Sequence, residues 1–207
     1  MSNTTFSNTD TGNKTADPYT EANKETGVTT QDKIDALNKF VSYTKFGMLT
    51  TRDEASGKLV SRCMAVAAEE SNGLDYLFFT NTESHKTDEL KSDPHVNLAF
   101  LDSSGQWASV AGNASIETDR SVVKKYYSPT LKAWMGDLGD GKHDGSENDP
   151  RIGVIRVRTA SATYAVTDRT ILGRVAEVAK GMVTGEQANV NRIREITESE
   201  VKSRRSA

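Results

Sequence analysis

The chain has 207 residues, with 26 Lys and Arg against 29 Asp and Glu and a formal net charge of −3. That length fits one domain with extensions, and the mild acidity argues against a duplex nucleic-acid binder, which carries a basic face. No run approaches the ~18 apolar residues of a membrane span, no basic patch precedes an apolar stretch at the N-terminus, and the single cysteine, Cys63, excludes an intrachain disulfide or a cysteine-built zinc site. A cytoplasmic protein with neither nucleic acid nor membrane as partner is the expectation.

Only 35% of the residues are hydrophobic, and the mean hydropathy is −0.59, so part of the chain is not expected to pack. Residues 1–30 are that part: Thr, Asn and Ser dominate, and Phe6, Tyr19 and Val28 stand far apart. Such a stretch buries too little surface to offset its ordering entropy and is expected to be a disordered tail. Its two Asn-x-Thr triplets, at Asn3 and Asn13, fit chance in a Thr-rich segment.

Ile34, Leu37, Phe40 and Val41 then recur at helical spacing behind Thr30. Phe46–Thr51 reads as a strand, Ala55-Ser56-Gly57 as a turn, and 59–68 as a second strand. On that strand Val60, Arg62, Met64 and Val66 share one face, while Leu59, Ser61, Cys63 and Ala65 share the other. Leu74–Thr80 is an aromatic third strand. Ser84–Ser92 predicts a short helix, His95–Leu101 an alternating strand, and Gln106–Glu117 another. Asp119–Met135 predicts a helix broken by Pro129; a Gly/Asp loop comes next, then a long strand over Ile152–Val166. Leu172–Val183 and Arg192–Arg205 read as helices, the latter a solvated mixture of Arg, Lys and Glu. The spacers between the first three strands are too short for crossover helices. About six antiparallel strands in a small barrel are therefore expected. The domain reading is a tail over 1–30, a barrel domain over 31–168 and a helical extension over 169–207.

His85, His95 and His143 have no metal-binding spacing. The loop from Asp140 places Lys142 and Arg151 where a calcium loop needs oxygen ligands, so no metal is expected. Cys63, among small apolar residues in a strand, reads as core rather than as a reactive thiol. No Gly-x-Ser-x-Gly elbow and no Gly-rich nucleotide loop is present. The informative stretch is Phe78-Phe79-Thr80-Asn81-Thr82-Glu83-Ser84-His85-Lys86. An aromatic strand ends there and turns into a helix, whose N-terminal N–H groups attract anions. A Ser hydroxyl and a Lys ammonium at that point suit a phosphate, though Ser is also a common cap and Lys a common solvated residue. Arg62 is the second cue, because a guanidinium on an apolar strand face needs a partner. Exposure at a sheet edge or a salt bridge would account for it, and so would a phosphate shared with Lys86.

Phe78-Phe79-Thr80-Asn81-x-x-Ser84-x-Lys86, then Asp93-Pro94-x-Val96-x-Leu98-x-Phe100 and Val110-x-Gly112-x-Ala114, resembles the pyridoxamine 5′-phosphate oxidase-like flavoproteins. The resemblance covers about residues 30–166, and the positions of Trp134 and Asp149-Pro150 look most like the general-stress-protein branch, with fungal blue-light-inducible proteins as relatives. It implies a mainly β split barrel with flanking helices, forming a homodimer with flavin at the interface. FMN is the implied cofactor, with FAD as the other candidate. By position, Arg62 and Lys86 hold the phosphate, with Ser84 and His85 assisting. Cys63, Met64 and Ala65 run beside the isoalloxazine as part of residues 63–67, Phe79 and Thr80 touch the ring, and Gln106, Trp107 and Ser109 lie near it.

Several positions depart from the family pattern. Vitamin-B6 phosphate oxidases carry a Lys where this chain has Ala67, and a late Arg-x-His-x-Arg signature. Here Ala162–Arg169 holds no such signature, and Ala165 stands where many relatives place an aromatic over the flavin. Vitamin-B6 oxidation is therefore not expected. The functional expectation is a flavin-dependent oxidoreductase of unidentified small substrate. A non-catalytic flavin-binding stress protein and a cofactor-free dimeric module are the alternatives, and no catalytic residue is assigned.

Overall fold

The computed structural model describes residues 14–167 and 171–206, together with Ser7, Thr9 and Gly12. In chain order the elements are α1 (Pro18–Asn23), α2 (Thr30–Thr44), β1 (Phe46–Arg52), β2 (Leu59–Ala65), β3 (Ala68–Glu70), β4 (Asp75–Asn81), α3 (His85–Ser92), β5 (His95–Leu101), β6 (Trp107–Glu117), α4 (Arg120–Tyr126), α5 (Lys132–Met135), β7 (Ile152–Val166), α6 (Ile171–Thr184), β8 (Arg192–Ile196) and α7 (Glu198–Arg205). The strands form one hydrogen-bonded sheet in the order β2-β1-β5-β6-β7-β4-β3, with β8 also paired to β7. β1 with β2, β3 with β4, β4 with β7 and β7 with β8 are antiparallel, as the short connections require.

The chain divides into two compact units, and β5, β6 and β7 each contribute residues to both. The unit made of Lys45–Leu98 and Ala111–Thr159 contains the β1–β2 hairpin, in which Gly47, Leu49 and Thr51 pair with Met64, Arg62 and Val60. Those β1 residues are buried, whereas Phe46, Met48 and Arg52 alternate to the exposed side. β4 departs from alternation: Tyr76, Leu77 and Phe78 are all fully buried in succession. Because successive side chains point to opposite faces, this run shows that β4 is covered on both faces. Leu77, Val123, Ile152 and Val154 form a core cluster against which Phe79, Val122, Tyr126 and Tyr127 pack. Pro129 does break the helical stretch after β6, into α4, a single 3-10 turn at Pro129–Leu131, and α5.

The other unit holds the described parts of Met1–Thr44, Ala99–Val110 and Ala160–Ala207. Ile34, Leu37, Phe40 and Val41 are the buried face of α2, as their spacing indicates. The buried Tyr164 of β7 donates its hydroxyl to the Lys33 carbonyl at 2.7 Å. Lys33 in turn pairs with Glu200 of α7 at 2.7 Å, and Glu200 closes a capping box with Thr197.

Three sequence readings change here. Eight strands form among the described residues rather than about six; the short β3 has no alternation to reveal it. Arg192–Ile196 is a strand rather than the start of a helix. Its buried Ile193 and Ile196 stand three residues apart, a spacing that imitates a helix, among charged residues with no strand alternation. Within the segment expected to be a disordered tail, Pro18–Asn23 is helical, capped by Asp17. The buried Asn23 bonds the backbone of Ala188, Val190 and Asn191, and Glu25 pairs with Arg192 and Arg194, so polar contacts hold a stretch that buries little apolar surface.

Gly112 of β6 sits where an added Cβ would overlap the backbone carbonyl oxygen of Arg158. Gly112→Ala is expected to destabilise the chain by about 1–3 kcal/mol, overlap outweighing the smaller entropic gain of losing a glycine. Urea unfolding followed by circular dichroism measures it; an unchanged midpoint would contradict the close approach.

Candidate functional site

The β1–β2 hairpin and α3 lie in one unit and pack together. Arg62 leaves the middle of β2 on the face it shares with Val60 and Met64, and its side chain is half-buried. Its partner is a carboxylate from α3. Nη2 donates to Glu89 Oε1 at 2.7 Å and Nη1 to Glu89 Oε2 at 2.8 Å, the two-point geometry that guanidinium and carboxylate share. Nη1 also donates to Thr51 Oγ1 at 2.9 Å, and Thr51 donates onward to Glu89 Oε2 at 2.5 Å. Glu89 is 1% exposed. Burial pushes its carboxyl up, but the hydrogen bonds from Arg62 and Thr51 and the Arg62 charge outweigh burial and hold it below the usual range.

Lys86 lies one turn earlier on α3. Its Nζ donates to Thr80 Oγ1 at 2.9 Å and to Ser84 Oγ at 3.0 Å. It pairs with no carboxylate among the described residues. Burial lowers the Lys86 pKa, the Arg62 charge lowers it further, and Glu89 opposes both. Ser84 is the N-cap of α3 but makes no side-chain cap; its hydroxyl donates to the Asn81 carbonyl at 2.6 Å. The N-terminus of the helix is thus open on the side of Lys86.

His85 is exposed, with Nε2 3.0 Å from Asp53 Oδ1 and 3.6 Å from Glu89 Oε1. The Asp53 hydrogen bond raises the imidazole above its usual 6.5. Asp53, held by Ser56 first and His85 second, is lowered to about 2. Asp53, His85 and Glu89 offer ligand atoms within 4.8 Å of one another, but Arg62 and Thr51 already occupy both Glu89 oxygens.

Arg62, Ser84, His85 and Lys86 therefore share one neighbourhood, with Thr80 as an acceptor for Lys86. Arg62 has found its carboxylate, so its burial alone no longer requires an external anion. Cys63 is a correction: it is exposed, not core. It faces outward on β2, the terminal strand of the sheet order, and the small residues beside it gave no sign of which face is covered. Ala65 and Ala67 are exposed, and Met64 and Phe79 partly buried. Gln106, Trp107 and Ser109 lie in the other unit and are partly buried. The Gln106 amide donates to Asp102 at 2.8 Å and accepts from the Thr167 N–H at 2.8 Å. Ala165 is fully buried. Glu89, Thr51 and Asp53 were missed. The available signal was Glu89 beside Leu90, on a helix whose exposed residues are otherwise polar.

The sequence model of the family described as "Pyridoxamine 5'-phosphate oxidase like" matches residues 32–189. The chain belongs to this family. It is 59% identical over 208 residues to protein bli-3 of Neurospora crassa, covering all of both chains. Two solved structures show the same split-barrel fold. One, from Clostridium acetobutylicum, is related to general stress protein 26 of B. subtilis (TM-score 0.57, 17% identity, 83% of this chain and 98% of that one). The other is the general stress FMN/FAD binding protein of Xanthomonas citri (TM-score 0.55, 20% identity, 68% and 93%).

In an NMR titration the His85 imidazole is expected to titrate above 6.5, and Asp53→Asn to bring it down. Because the folded pKa is raised, the pair's contribution to stability is present below about pH 6.5 and fades as pH rises through the raised value. A midpoint unmoved by Asp53→Asn would break the assignment.

Proposed function

We propose that the chain binds a flavin nucleotide through the α3 N-terminus, FMN foremost and FAD as the second candidate. Lys86 carries this reading: a half-buried ammonium seated on two hydroxyls, with no anion of its own among the described residues. It sits beside Arg62 at the uncapped start of a helix, a natural place for a phosphate. The Nε–H of Arg62 has no acceptor among the described residues, since Glu89 and Thr51 take only the Nη groups. The Ser84 hydroxyl proton is taken by the Asn81 carbonyl, so the donors that fit a phosphate are the Lys86 ammonium and the free guanidinium edge of Arg62. Membership of the family and the FMN/FAD binding protein of similar fold support it.

Bound flavin supplies hydride or electron transfer, and the reading is a cytoplasmic oxidoreductase of a small molecule. The chain's own part is to bind and orient. Arg62 and Lys86 hold the phosphate, and residues 63–67 with Phe79 and Thr80 border the ring. The exposed thiol of Cys63 suits a reducing compartment. A second copy covers the outer face of the hairpin, where Phe46 and Met48 are 57% and 41% exposed and Leu59 is 68% exposed.

Lys86→Ala is expected to weaken FMN binding at least tenfold, about 1.4 kcal/mol or more, read by quenching of flavin fluorescence. Unchanged affinity would overturn the site. Anaerobic reduction by NADH or NADPH much faster than that of free FMN supports an oxidoreductase; reduction no faster supports a flavin carrier. Sedimentation is expected to give twice the 22.6 kDa chain mass, and Phe46→Asp to halve it; a monomeric wild type would remove the dimer.

A further inference from the structure

We infer that Glu89 is a positioning residue that makes this site prefer phosphorylated over unphosphorylated flavin. The inference rests on the proposed flavin-phosphate site. An arginine offers five N–H donors on a long, rotamer-rich side chain, and fixing it on a ligand costs conformational entropy. Here that entropy is lost before any ligand arrives. Glu89 Oε1 and Oε2 each accept from a different Nη, at 2.7 and 2.8 Å, which sets the plane of the guanidinium. Thr51 completes the clamp from β1, accepting from Nη1 and donating to Glu89. The Nε–H and the second Nη2–H are left outside the clamp, and they form the other two-pronged edge of the group. A phosphate oxygen pair can take that edge while Glu89 keeps its own.

The carboxylate has a second effect of opposite sign. It sits near Lys86 and Arg62 and partly cancels their field. If repulsion prevailed, removing it would tighten phosphate binding. Position prevails because Glu89 is buried behind Arg62 and bonded to it at two points, so its charge is largely spent on the guanidinium. A guanidinium deprived of that partner loses its fixed plane and its preorganised edge.

The test compares FMN with riboflavin, which has the same ring and no phosphate, on the full chain. Wild type, Glu89→Gln and Thr51→Val are titrated with each ligand by fluorescence. Glu89→Gln is expected to lower FMN affinity about tenfold and riboflavin affinity less than twofold, the scale of losing one charge-assisted contact. Thr51→Val, which removes a single hydroxyl, shifts the FMN-to-riboflavin ratio the same way by about threefold, and it decides the question if Glu89→Gln does not fold. Equal loss for both ligands would show a merely structural role, and a ratio that rises would show that Glu89 only repels; either overturns the inference and leaves the flavin reading intact. A wild type that binds neither ligand overturns both.

Discussion

A guanidinium on the inner face of a strand must meet an anion, and that requirement organises the hairpin and the helix. Arg62 is placed by the alternation of β2, between Val60 and Met64, where water cannot fully solvate it. Glu89 answers from α3, and Thr51 from β1 bonds both. The two strands of the hairpin and the helix α3 are thereby held in one orientation. Breaking such a pair from one side leaves an uncompensated charge and costs roughly 3–5 kcal/mol, whereas its net contribution over an apolar alternative is small. The pair is therefore better explained by what it positions than by what it adds to stability. Because α3 is held by Glu89 and Leu90, its first turn, with Lys86 and Ser84, has a fixed place.

The same device recurs in this unit. Arg151 is buried on Asp149 and also donates to the Gly136 carbonyl at 2.9 Å. Asp149 accepts from the Gly145 N–H at 2.7 Å. The loop after α5 is thus closed by a charge pair rather than by apolar packing, which lets Trp134 and Leu138 remain exposed. Arg156 likewise joins Glu70 and Glu117 across β7, β3 and β6. In a chain with only 35% hydrophobic residues, such pairs join these loops and strands at positions with little apolar packing.

Charge pairing also decides which parts of the architecture could be read from residue order alone. His95–Leu101 coincides with β5 because Val96, Leu98 and Phe100 alternate with less buried residues, and Ile152–Val166 coincides with β7, whose Ile152, Val154, Ile155 and Val157 are β-branched residues that favour strands. The helix α2 was legible from its own period. Elements held by charge were not: the Glu25–Arg192–Arg194 group orders the chain before α2 and beside β8, and no periodicity marks it. Cys63 was misjudged because a strand's two faces can be separated by alternation, but which one is covered depends on strand order. Arg62 and Lys86 stood out as cations in unusual places. Glu89 did not, because a glutamate in a polar helix looks solvated until the strand beneath it is known.

The disposition of charge also bears on what the site can accept. The half-buried and buried arginines of this unit are already engaged: Arg62 on Glu89, Arg151 on Asp149, Arg156 on Glu70 and Glu117, and Arg120 on the carbonyls of Thr118, Asp149 and Ile152. Lys86 differs from those arginines in having hydroxyls rather than a carboxylate for partners. Within this unit it is therefore the half-buried cation whose charge is still available, and one such cation beside a preset guanidinium edge suits a single terminal phosphate.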